Sequence, residues 1–98
     1  MKNFKFVVRY EGTEFHGWQT QPGLRTVQET LESAIKSITG ETKVYANCSG
    51  RTDSGVHALG QVCNFYSECK LPTDKFVKAV NAKLARDLIV LSCDVMDQ

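Results

Sequence analysis

The 98 residues make one small domain with a single core, and a net charge of +1 lacks the basic excess by which a free-standing RNA binder gains much of its affinity. Hydrophobic residues at 42% and charged residues at 23% give an ordinary globular balance, and no apolar run approaches the roughly 20 residues that span a bilayer. Met1-Lys2-Asn3-Phe4-Lys5 alternates instead of forming a secretory core, so the expected setting is the cytoplasm, with reduced thiols and no membrane.

Phe4 to Tyr10 alternates, with Phe4, Phe6, Val8 and Tyr10 on one face, and reads as the first strand. Segment 11–25 carries Gly12, Gly17, Pro22 and Gly23 and reads as an ordered functional loop. Phe15 and Trp18 within it suit a hydrophobic lid over the core edge; the alternative is stacking on RNA bases. Thr26 and Glu29 have the spacing of a capping box, and Val27, Leu31, Ala34, Ile35 and Ile38 recur at helical intervals. This predicts a helix over 27–39, closed by Gly40.

Lys43 to Cys48 reads as the second strand, with Val44, Ala46 and Cys48 opposite Lys43, Tyr45 and Asn47, and Gln61 to Ser67 as the third. Pro72, just ahead of a cap at Thr73, opens a second helix whose buried side is Phe76, Val77, Val80 and Leu84. Leu88 to Val95 is the fourth strand, and its continuous apolar start implies cover on both faces. The order β-α-β-β-α-β predicts an α+β fold, ferredoxin-like or RRM-like, with two helices on one antiparallel four-stranded sheet and one domain over 1–98. Cys48, Cys63, Cys69 and Cys93 show no C-x-x-C spacing and no histidine pair, so no metal site is expected and strand cysteines should act as small buried hydrophobes.

The densest chemistry is Gly50-Arg51-Thr52-Asp53-Ser54-Gly55-Val56-His57-Ala58-Leu59-Gly60, between the second and third strands. Two glycines bracket a cation, a carboxylate and two hydroxyls, which lets the backbone turn sharply and come close to a ligand. The same composition also suits an Asx-type turn in which Asp53 accepts from nearby N–H groups and pairs with Arg51. Gly50 to Ala58, Tyr10-Glu11-Gly12-Thr13-Glu14-Phe15-His16-Gly17-Trp18-Gln19-Thr20-Gln21 and Thr26-Val27-Gln28-Glu29 together resemble, in order and spacing, the tRNA pseudouridine synthase A family. Ser54 stands where that family usually has Ala, and Glu11 where it usually has Asp.

The resemblance implies that Asp53 is the catalytic residue and tRNA the partner, with uridines of the anticodon stem-loop as substrate. It also implies a cytoplasmic homodimer whose second, similarly folded half supplies a tyrosine and another basic residue. The chain reaches only Met96-Asp97-Gln98 after the fourth strand, so it is expected to be the N-terminal half and to turn over little tRNA alone. Isomerising uridine needs no metal or cofactor in principle, only a carboxylate set against the sugar or the base ring. Gly50, Arg51, Thr52 and His57 are the expected substrate-binding groups, Arg51 being suited to phosphate or to the vacated stack, or to holding Asp53 charged. His57 suits either acid–base work or a structural hydrogen bond, and it stays outside the catalytic set; His16 has less support still.

Two other readings share the element order. A non-catalytic RRM-like module would present Phe6, Tyr10, Phe65 and Tyr66 on an open sheet face, but the Lys/Arg-Gly-Phe pattern is missing. An acylphosphatase-like enzyme would want a basic loop after the first strand, where this chain has Glu11 and Glu14.

Overall fold

The computed structural model describes residues 1–48 and 57–96. Strand β1 (Lys2–Tyr10) is central, pairing antiparallel with β3 (Ala58–Ser67) on one side and β4 (Leu88–Met96) on the other. The short β2 (Asn47–Cys48) extends β3, giving the sheet order β2-β3-β1-β4. With α1 (Val27–Thr39) and α2 (Thr73–Lys83) this is the expected α+β, ferredoxin-like arrangement of two helices on one antiparallel sheet.

The alternation of β1 decides which face is covered. Phe4, Phe6, Val8 and Tyr10 are all buried under the helices, while Lys5 and Arg9 point to the opposite face. Phe6 and Phe76 pack at 5.4 Å between centroids and Phe6 and Phe65 at 4.7 Å, so aromatic rings from three elements fill one end of the core. The burial removes the platform an RRM-like module needs: Phe6, Tyr10 and Phe65 are buried, and of the four rings only Tyr66 is exposed.

Helix α1 runs over the predicted residues. Thr26 Oγ1 accepts from the Glu29 N–H at 3.4 Å, and Gly40 at φ 76° donates its N–H to the Lys36 carbonyl at 2.8 Å. Pro72 itself occupies the cap position of α2, one residue earlier than expected. Asn81 near the end of α2 accepts from the Val90 N–H at 2.8 Å and donates to the Val90 carbonyl at 2.9 Å, tying the helix to the outer edge of β4. No helix among the described residues is long and apolar enough to cross a membrane.

Three strand expectations need correction. Only Asn47 and Cys48 pair as β2; Val44 and Ala46 are buried as the alternation required, but the Ala46 N–H goes to the Glu32 carboxylate at 2.8 Å and not to a neighbouring strand. Strand β3 starts at Ala58, opposite Tyr10, three residues before the expected Gln61. The apolar run of β4 is not covered on both faces, because Leu91 is the extra residue of a bulge, between Val90 and Ser92 as they pair with Val8 and Val7, and it is 45% exposed.

The cysteines behave as expected of small hydrophobes. Cys63, Cys69 and Cys93 are buried, Cys48 half-buried, and none is bonded to another. Burial pushes the Cys63 thiol up to about 12, and that of Cys93 likewise.

Candidate functional site

Gly50, Arg51, Thr52 and Asp53 lie outside the described residues, but both stems of their loop are defined. The leading stem is β2, where Cys48 stands opposite Cys63; the trailing stem is His57, followed by Ala58 opposite Tyr10. Both face the end of the sheet where β1 finishes and the loop after it begins.

That loop is brought to the trailing stem directly. The Gly12 N–H donates to His57 Nδ1 at 2.8 Å, across 45 positions of sequence. Gly12 opens a 3₁₀ turn (Gly12–Glu14), so its N–H has no partner within the turn, and Gly12 is buried. One residue earlier, the Glu11 N–H donates to the Asp87 carbonyl at 3.0 Å. This hydrogen bond joins the loop after β1 to the stem from which β3 starts.

Further pins hold the loop's body. Arg25 grips Asp87 with both nitrogens, at 2.6 and 2.9 Å, and its guanidinium lies 4.0 Å from the Phe15 ring centre. The shared hydrogen bonds raise the Arg25 value and hold the Asp87 carboxyl below its ordinary range. The Val27 and Gln28 N–H groups of α1 donate to the Gly17 and Trp18 carbonyls at 3.2 and 2.9 Å. Phe15 and Trp18 are each 2% exposed, so they form the lid over the core edge and are not open stacking surfaces.

The leading stem is positioned by a group no motif flagged. Glu32 on α1 is only 8% exposed, and its Oε2 accepts from the Ala46 N–H at 2.8 Å and from Gln28 Nε2 at 3.1 Å. Gln28 Oε1 in turn accepts from the Thr20 N–H at 2.9 Å, so one chain of contacts joins the loop, the helix and the approach to β2. Burial raises the Glu32 carboxyl above its ordinary value, against the pull of those two donors.

Two depressions flank the stems. One of about 440 Å³ is lined by Arg9, Tyr10, Glu11, His57, Leu59, Arg86, Asp87 and Ile89; the other, about 120 Å³, lies between Trp18, Gln19, Gln28 and the 46–48 segment. Arg9 and Arg86 in the first make no ion pair with another described residue, and a guanidinium is a group suited to phosphate. A third cavity, about 520 Å³ along α1, shares no lining residue with either stem. Among the described residues no three His, Cys, Asp or Glu side chains converge as metal ligands would.

The sequence matches the profile of the tRNA pseudouridine synthase family over residues 6–95. It is 46% identical over 97 residues to tRNA pseudouridine synthase A of Acetivibrio thermocellus, covering 99% of this chain and 39% of that protein. It is 51% identical over 90 residues to the protein of that name from Caldicellulosiruptor saccharolyticus, covering 92% and 36% respectively. With the Lysinibacillus sphaericus protein, also named tRNA pseudouridine synthase A, the figures are 46% over 94 residues, 96% and 38%. The chain therefore spans about two-fifths of the length of the curated relatives it matches. A family profile that covers residues 6–95, with relatives close to half identical over nearly the whole chain, shows that the chain belongs to the tRNA pseudouridine synthase family.

Proposed function

We propose that this chain is the N-terminal catalytic half of an enzyme that converts uridine to pseudouridine in the anticodon stem-loop of tRNA, with Asp53 as its reactive carboxylate. The observation that carries the reading is the convergence at the end of β1, where the signature-loop stem, the loop after β1 and a cleft holding two guanidiniums meet. The reaction breaks the N1–C1′ bond and forms a C5–C1′ bond; a proton leaves C5, N1 takes one up, and the product is an isomer of the substrate. A carboxylate with an ordinary value near ~3.9 is ionised at neutral pH, so Asp53 can add as a nucleophile and leave again.

The uridine must first be turned out of its stack. Gly50, Arg51, Thr52 and His57 are the groups proposed to bind it, with Arg51 on phosphate or in the vacated stack. The second half of the protein supplies the remaining tyrosine and basic residue. The working assembly is a cytoplasmic homodimer without metal or cofactor, and the 98 residues alone turn over little tRNA. The test is Asp53→Ala in the protein of full family length, assayed by tritium release from an anticodon stem-loop carrying [5-³H]uridine. Turnover is expected to fall by roughly 10³-fold or more while RNA binding persists. Turnover within a few-fold of the parent overturns the assignment.

A further inference from the structure

We propose that His57 is a positioning residue, which uses an unprotonated Nδ1 to lock the signature loop to the loop after β1. The inference rests on the enzymatic reading above but asks a separate question of the same site. An imidazole nitrogen that accepts an N–H carries no proton, so the neutral ring holds its hydrogen on Nε2. Nδ1 is thereby committed to Gly12, and Nε2–H is the donor left to face a nucleotide.

The lock sits at a mechanically useful place. His57 comes four residues after Asp53 and immediately before β3, whose Ala58 is already in register with Tyr10. Its partner Gly12 is buried, two residues beyond the end of β1, and the adjacent Glu11 N–H is held by Asp87. Consecutive amides of one loop are thus gripped by two different elements, and the trailing end of the other loop cannot shift without breaking a contact.

A second proton on the ring would convert Nδ1 from acceptor to donor, facing another donor, and open the lock. Arg9, Glu11, Arg86 and Asp87 are the charged groups that line the cleft with His57. Two of these are already engaged: Asp87 with Arg25, and Glu11 Oε1 as acceptor from Thr13 Oγ1 at 3.0 Å.

The experiment separates the two ring nitrogens in the protein of full family length. Asn at 57 sets an amide oxygen near the Nδ1 position, whereas Gln reaches toward the Nε2 position and leaves Gly12 without its acceptor. His57→Asn, which keeps an acceptor for the Gly12 N–H, is expected to lose less kcat than His57→Gln or His57→Ala, which should lose roughly 10–100-fold. With ¹⁵N-labelled histidine and glycine, the ring should appear as the Nε2–H form, and the Gly12 amide should titrate in step with it and shift in His57→Ala. An Nδ1–H ring, an unmoved Gly12 amide, or His57→Gln outperforming His57→Asn overturns the proposal. The labelled-ring readout does not depend on turnover, so an active Asp53→Ala protein would sink the enzymatic reading and leave the lock standing.

Discussion

The two ends of the sheet are built from different chemistry. Where β1 begins, Phe4, Phe6, Phe65 and Phe76 pack ring against ring, with centroids 4.7 to 6.0 Å apart, beside a polar cluster in which the buried Ser67 hydroxyl donates to Glu41 and accepts from the Cys69 N–H. Where β1 ends, Tyr10 packs on Phe15 and Trp18 at 6.2 and 6.4 Å, and polar pins surround this smaller layer. His57 holds Gly12 and Asp87 holds Arg25. Apolar burial is strong but has no direction, so it sets stability better than position. Hydrogen bonds give less net energy each but fix geometry within a fraction of an ångström. Where β1 ends, the hydrogen bonds join elements 45 and 62 positions apart, Gly12 with His57 and Arg25 with Asp87, so they fix how separate segments sit against one another.

Substitutions should split along that line. Phe76→Ala, which empties the aromatic end, is expected to cost about 3–5 kcal/mol in urea denaturation. Glu32→Ala leaves the buried Ala46 N–H without an acceptor and should cost about 1–3 kcal/mol, with faster hydrogen exchange before β2. Asp87→Ala should cost no more than about 1 kcal/mol, and less at high salt, because the Arg25 side chain is 38% exposed and solvent screens the pair. Equal losses from Phe76→Ala and Asp87→Ala would erase the contrast.

The smallest effect is one of sign. Asp87 sits below its ordinary 3.8, so its contribution is present above that pH and is lost as pH falls through the folded value. Glu32 sits above its ordinary 4.5, so its contribution is present below that pH and is lost as pH rises through the folded value. Glu32→Gln should therefore remove a component of stability that declines above about 4.5, while Asp87→Asn should remove one that declines toward acid. Matched denaturation curves from about pH 3 to about pH 8 distinguish the two.

The fold was legible because local signals agreed. Thr26, Gly40 and the apolar spacing of 27–39 define α1, and Phe4 to Tyr10 shows which face of β1 goes inward. The pins were not legible, because each joins residues that no short pattern relates: Gly12 with His57 across 45 positions, Arg25 with Asp87 across 62. Glu32 falls outside the apolar repeat of α1, so the repeat did not single it out. Its place between Leu31 and Ser33, four residues after Gln28, gave only a weak hint that a helix margin was turned inward. Burying it displaced Ala46 from strand pairing, which is why β2 is shorter than its alternation promised. Leu91 misled for a related reason, since a bulge inserts a residue that two-residue periodicity cannot register.

Asp87 takes the Glu11 N–H on its carbonyl and Arg25 on its carboxylate, so one residue fastens both ends of the segment between them. The tip of that segment is then released from any duty in holding the sheet together: residues 21–24 are exposed, and a Cβ added at Gly23 would meet nothing within 4 Å. Because lengthening an already closed loop costs little entropy, a short tag or a dye attached at Pro22 would ride beside the cleft as a reporter handle without loosening its walls.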